Sequence, residues 1–188
     1  GLDVHYKVHG NWQVLIQIID ALGGIDVAIQ VWDGSPYMYD VATKVRYKNG
    51  ETAHMNGEQA LAFSRARGSE GGYGLSGGNF DRERNQQKII QATLAKINAS
   101  KYDISKLLNI VNAVGDNVKT TFSTKEYQTL AELAIGMKSE NIKSLPLISD
   151  TDKQANLMTT GQVSGRSAVL PTAGVFEYSD IQAYIAKN

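Results

Sequence analysis

Hydrophobic and polar residues are ordered along this chain in two periods, and the switches between them mark its elements. Val4, Tyr6 and Val8 alternate with polar neighbours, and Val14, Leu15, Ile18, Ile19 and Leu22 then recur at helical spacing until Gly23-Gly24 stops the run. Ile25, Val27, Ile29 and Val31 alternate again and end at the turn residues Trp32 to Pro36. A strand-helix-strand unit of this length predicts a layered α/β domain. Lys44 to Tyr47 reads as a short strand closed by Asn49-Gly50, and Asn56-Gly57 opens a helix from Glu58 to about Ser64. Between Gly68 and Asn79 there is no period and little to bury, which predicts a loop that is mobile or ordered by a ligand. A long helix follows from Asp81 to about Ile97, with Ile89, Ile90, Leu94 and Ile97 on one side. Further helices are predicted over Ile104–Val114, Thr124–Met137 and from Ser179 onward, with strands at Leu145–Ile148 and Ser167–Leu170. No repeat or linker divides residues 1–188, so one domain is expected.

Composition narrows the function classes. An apolar fraction of 42% over 188 residues suffices for one core. Lysine plus arginine and aspartate plus glutamate balance at 19 each, so no global positive field draws the chain to nucleic acid, and any anion site is local. The absence of cysteine excludes disulfides, zinc ribbons and thiol nucleophiles. No apolar run reaches the length of a membrane span, and the residues from Gly1 show no cleavage pattern, so the chain is expected to be soluble and to be part of a longer protein.

The candidate chemistry lies between Arg65 and Gln86. A helical wheel puts Arg82 within about 50° of the centre of the stripe formed by Ile89, Ile90, Thr93 and Ile97, with Gln86 on the same line and Arg84 on the opposite, solvated side. An inward guanidinium needs an anion, and the first turn of a helix favours one. Arg65 and Arg67 stand two apart, so an extended chain there aims both guanidinium groups one way, a fork suited to phosphate oxygens. The alternative is ordinary pairing: Arg65 and Arg67 with Glu58 or Glu70, and Arg82 with Asp81 or a core carboxylate.

Other motifs carry less. Gly72, Gly74 and Gly77 match G-x-G-x-x-G without the strand and helix that a dinucleotide site requires. His5, His9 and His54 lack metal spacing and read as surface or strand-face residues. Asn98-Ala99-Ser100 is a sequon with no secretory context to give it meaning, and Trp12 and Trp32 read as core anchors.

Three segments resemble the LytR-CpsA-Psr family, whose domains attach glycopolymers to the bacterial cell wall. They are Gly23-Gly24-Ile25-Asp26-Val27; Met55-Asn56-Gly57 with Ala60-Leu61-Ala62-Phe63-Ser64-Arg65-Ala66-Arg67; and Asn79-Phe80-Asp81-Arg82-Glu83-Arg84-Asn85-Gln86. Two positions depart from the family pattern: Asn79 stands where aspartate is usual, and Asn85 where arginine is frequent. The first departure removes a carboxylate near the arginines, and the second lowers the positive charge facing the loop.

The resemblance implies a three-layer α/β/α sandwich with a central mixed sheet. It also implies a phosphotransferase that moves a glycopolymer, teichoic acid or capsular polysaccharide, from a polyprenyl-pyrophosphate carrier to peptidoglycan. Arg65, Arg67 and Arg82 would then be catalytic, and together with Gln86 would bind the pyrophosphate, with Asn79 and Asn85 as accessory positions. Magnesium would assist, its aspartate ligands lying upstream of these residues and none within this chain. An upstream membrane helix would hold the domain on the extracytoplasmic face. Two other readings stay open: a non-catalytic polyprenyl-pyrophosphate-binding module, and a regulator of cell-envelope gene expression. A neutral chain without a basic recognition helix argues against nucleic acid as a partner.

Overall fold

The computed structural model describes residues 5–68, 71–75, 78–99, 104–136, 145, 147–148 and 156–188. By contact the chain divides into two units, Gly1–Asn141 and Ile142–Asn188.

The first unit begins with β1 (Val8–Gly10), shorter than the alternation from Val4 implies; Val4 itself lies outside the described residues. Helix α1 (Trp12–Ala21) starts where the Asn11 side chain accepts a hydrogen bond from the Gln13 amide. It stops at Gly23 and Gly24, whose positive φ angles of 74° and 87° let their amides turn back to the carbonyls of Asp20 and Ile19. Strand β2 (Ile25–Ala28) follows with Ile25 and Val27 buried and Asp26 and Ala28 exposed, as its alternation dictates.

Next come β3 (Tyr37–Asp40), β4 (Val45–Lys48) and β5 (Thr52–Met55). β3 and β4 form a hairpin, while β5 pairs back with β2, matching Ile25 to Met55 and Ala28 to Thr52. Helix α2 (Gly57–Arg65) opens with a reciprocal capping box between Asn56 and Gln59. Helix α3 (Asn79–Ala99) packs on α2 and on β2, and α2 packs on α1. Their shared core is built from Ile19, Ile25, Val27, Met38, Met55, Phe63 and Ile89. Helices α4 (Ile104–Ala113) and α5 (Thr124–Gly136) then flank β6 (Val118–Thr120), which pairs with β1.

The second unit contains the hairpin β7 (Met158–Val163) and β8 (Arg166–Pro171), then α6 (Ser179–Lys187). Leu145, Leu147 and Ile148 are not in a strand, and Pro146 lies outside the described residues.

The α/β class is as expected. Among the described residues its sheets are four two-stranded ladders, all antiparallel. β3–β4 and β7–β8 are joined by short turns, which impose this sense, whereas β5 returns to β2 around the β3–β4 hairpin and β1 and β6 pair from far apart along the chain. No helix among the described residues is long and apolar enough to cross a membrane.

Candidate functional site

The arginine segments meet at one end of the α2–α3 pair. Arg65 is the last residue of α2, and Ala66 turns the chain out of the helix at φ −59°, ψ 135°. Arg65 is therefore helical, and the extended fork expected of Arg65 and Arg67 does not form. The Arg65 guanidinium lies over the ring of Trp12, 5.5 Å from its centroid. Trp12 is 58% exposed, so it is a platform for this cation instead of the core anchor its size suggested.

Arg67 is exposed, and its backbone is held from behind. The amides of Arg67 and Gly68 both donate to Asp40 Oδ2, at 2.9 and 2.8 Å. Asp40 Oδ1 accepts from the amide and the hydroxyl of Thr43, each at 2.8 Å. Burial pushes the Asp40 carboxyl upward, but the hydrogen bonds from Arg67, Thr43 and Gly68 outweigh it and hold the group below its ordinary range. Gly68 has a φ of 69°, and an added Cβ would overlap the backbone of Leu75, so the chain folds tightly back on itself here.

Within the glycine-rich stretch, the described residues 71–75 make specific contacts. Tyr73 and Tyr39 exchange both backbone hydrogen bonds, at 2.9 and 3.0 Å; the Gly74 amide donates to Asp33 Oδ2 at 2.6 Å; and Leu75 is buried. Residues 71–75 thus add to the edge of β3, a pairing that helical or strand periodicity does not signal. Gly77 and Glu70, weighed above, lie outside the described residues. The Gly78 carbonyl accepts from the amide of Arg82 at 3.2 Å, and an added Cβ on Gly78 would lie 3.9 Å from the Arg67 carbonyl oxygen. These contacts bring the backbone that carries Arg67 beside the first turn of α3.

On α3 the wheel needs correction. The fully buried line is Asp81, Asn85 and Ile89, four residues apart, while Ile90 is 54% exposed. Two of these inward residues are polar, so a stripe centred on apolar side chains was displaced from the true inner face. Arg82 and Gln86 flank that face and are half-buried. The Gln86 amide donates to the Ser64 carbonyl at 3.4 Å, tying α3 to the last turn of α2. Arg84 is not a solvated charge: it pairs with buried Asp81 at 2.8 Å and stacks on Trp32 at 5.0 Å. Asp81 is thereby taken by Arg84, and not by Arg82. Asn85 faces the core and not the loop, with neither amide atom hydrogen-bonded among the described residues. Asn79 opens α3, and nothing further is described of its side chain.

Lys88 completes a cluster that sequence reading missed. Its ammonium lies 4.7 Å from the Trp32 ring centre, and burial lowers its pKa. Trp32 thus receives two cations instead of anchoring the core. Lys88 also lines a groove of about 480 Å³ with β2 residues Asp26 and Ala28 and α3 residues Gln91 and Ala95.

Among the described residues Asp81–Arg84 is an ion pair and His54 Nδ1 hydrogen-bonds Asp26 Oδ1 at 2.7 Å across β2 and β5; Arg65, Arg67 and Arg82 are in no ion pair. Pairing of Arg65 with Glu58 is therefore not found. His5 and His9 are exposed, and no group of three potential metal-ligating side chains occurs among the described residues. The sequon ends at Ser100, outside the described residues.

The LytR_cpsA_psr family model matches residues 1–168. The chain is 28% identical over 130 residues to the polyisoprenyl-teichoic acid–peptidoglycan teichoic acid transferase TagV of Bacillus subtilis (strain 168), covering 69% of this chain and 32% of that protein. A solved protein from Streptococcus agalactiae is 28% identical with a TM-score of 0.66, covering 91% of this chain and 53% of its own. The crystal structure of B. subtilis TagV, at 22% identity and a TM-score of 0.68, shares the fold over 99% of this chain and 63% of its own. The chain spans about a third of the length of the curated relatives it matches.

Proposed function

The chain belongs to the LytR_cpsA_psr family, and on that premise we propose that it carries the arginine-bearing part of a phosphotransferase site that moves a glycopolymer from a polyprenyl-pyrophosphate carrier to peptidoglycan. One observation carries this reading. Three arginines in no ion pair among the described residues stand on neighbouring backbone: Arg65 ends α2, Arg67 follows two residues on, and Gly78, beside the Arg67 carbonyl, accepts from the Arg82 amide in the first turn of α3. The names of the teichoic acid transferases among the relatives supply the substrate class.

In this reading Arg65, Arg67 and Arg82 hold the pyrophosphate oxygens. They offset the charge that develops as the bond to the lipid phosphate breaks, a task for positioned donors more than for covalent chemistry. The amides at the N-terminus of α3 add partial positive charge beside Arg82. Gln86 keeps the end of α2 against α3. The placement of the site on the extracytoplasmic face of the membrane, through an anchor outside these residues, belongs to the same proposal.

For magnesium, implied by the resemblance, no group of three potential ligands occurs among the described residues. Asp40 is saturated by four hydrogen bonds and Asp81 is paired with Arg84. In this reading the aspartate ligands lie upstream of these residues, as the resemblance implies.

The test is transfer by the intact protein from a lipid-linked donor to peptidoglycan. Arg82→Ala should lower turnover by about 100-fold or more, the usual loss when one donor to a developing charge is removed. Turnover retained near the wild-type rate would overturn the role of Arg82.

A further inference from the structure

We propose that Asp40 is the positioning residue of this pyrophosphate site: its buried carboxylate fixes the backbone of Arg67 and Gly68, and through it the direction of the Arg67 side chain. The inference rests on the reading of the site given above.

Asp40 ends β3 and is 1% exposed. A carboxylate so placed is costly unless every lone-pair direction is met. Here each oxygen accepts two donors, one pair from the adjacent turn at Thr43 and the other from two consecutive amides 27 and 28 residues away. That leaves no capacity for a metal or a substrate proton, so the role of the group is to hold the chain. Two successive N–H groups on one oxygen set the orientation of both peptide planes flanking Arg67. Ala66, on the other side, is fully buried. Arg67 is thus an exposed side chain on a root pinned from both directions. A guanidinium on a long flexible stem loses much rotamer freedom when it grips an anion, and a fixed root removes part of that loss in advance. Arg65 has its own support in Trp12, so the two cations are positioned by different means.

A carboxylate that merely stabilised the fold would give a different result from one that positions Arg67, and Thr43 separates the two. Thr43→Val removes the hydroxyl donor to Oδ1 and leaves the clamp on Arg67 and Gly68 in place. Affinity for geranylgeranyl pyrophosphate is measured by calorimetric titration on the intact protein, under conditions where circular dichroism shows each variant folded. Asp40→Asn should weaken binding about tenfold, a modest misplacement effect. Thr43→Val should lower the melting temperature and leave Kd within about twofold. Adding Asp40→Asn to Arg67→Ala should change Kd by no more than about twofold, because the two act as one unit. If Asp40→Asn does not fold, Asp40→Glu moves the charge by one methylene and enters the same comparisons.

Unchanged Kd in the folded Asp40 variant, or a full tenfold effect on the Arg67→Ala background, would overturn the positioning role while the site reading stands. Failure of the wild-type chain to bind the probe would overturn both.

Discussion

Gly57 sits where α1 and α2 cross, and Gly57→Ala tests the packing that supports the arginine end of α2. A Cβ there would overlap the Ile16 carbonyl and lie 2.6 Å from the Ile16 Cα, against an ordinary carbon contact of about 3.5–4.0 Å. Both partners are helix backbone, so neither can rotate aside, and the helices must part by roughly 1 Å. That overpacking costs about 1–3 kcal/mol. The Gly57 amide also donates to Asp20 Oδ1 at 2.7 Å, and losing this charge-assisted bond adds about 1.5–3 kcal/mol. The better helix propensity of alanine returns at most about 1 kcal/mol. The net expectation is a loss of about 1.5–6 kcal/mol, a large share of the roughly 5–15 kcal/mol that holds a domain folded. Urea unfolding followed by circular dichroism measures it. Gly115→Ala is the control, since nothing lies within 4 Å of a Cβ there and it should stay within about 0.5 kcal/mol of wild type. The two helices run antiparallel, with Asp20 and Ile16 of α1 beside Gly57 and Trp12 beside Arg65, so parting them also withdraws the platform under Arg65. A Gly57→Ala protein as stable as the control would refute the close approach of the helices.

Other predictions follow the same geometry. Arg84→Met should cost about 1.5–3 kcal/mol in urea unfolding, because it removes a charged partner of buried Asp81, whereas Arg82→Met should cost under about 1 kcal/mol; equal losses would contradict the assignment of Arg84 to structure and Arg82 to the site. Asn85→Leu should stabilise the chain by about 1–3 kcal/mol, since it replaces an amide buried without hydrogen bonds; a destabilised variant would show that this amide is in fact satisfied. Asp40 has a depressed pKa when folded, so its contribution is present above the unfolded value of about 3.9 and is lost as pH falls through the lower, folded one. The stability gap between wild type and Asp40→Asn should therefore narrow on acidification below about pH 4; a gap constant down to pH 2 would count against the clamp. Lys88 follows the same sign at higher pH: burial lowers its folded pKa below the unfolded value of about 10.4, the unfolded chain binds more protons between the two, and stability should rise with pH as the folded group deprotonates. Lys88→Met should flatten that rise in unfolding measured between pH 7 and 10.

Much of the fold was written in local pattern. The alternation of Ile25, Val27 and Ile29, the helical spacing from Val14 to Leu22 and the glycine pair between them identify β2 and α1 to within a few residues, because burial on one face imposes a period of its own. β3 was not found, since Tyr37-Met38-Tyr39-Asp40 mixes a charge into an apolar run; that charge proves to be the buried clamp. The contacts of residues 71–75 go unread for a related reason. They come from pairing with β3 and from an Asp33 oxygen, and neither leaves a period in those residues themselves.

For the site, residue type and spacing alone singled out Arg65, Arg67, Arg82 and Gln86 and tied them to a family. They could not say which arginine is spare. Arg82 and Arg84 differ by two positions on one helix, and a wheel centred on apolar residues ranked them by angle to a stripe whose true line includes Asp81 and Asn85. Only tertiary structure settles such a choice. A buried carboxylate takes whichever guanidinium can reach it, and that depends on side-chain reach and on neighbours such as Trp32 contributed from far along the chain. The sequence by itself determined the elements and the cationic residues, because local periodicity and chemistry are properties of a segment. Which charges are spent on holding the fold and which remain for an anion is a property of contacts between segments, and it was decided when they packed.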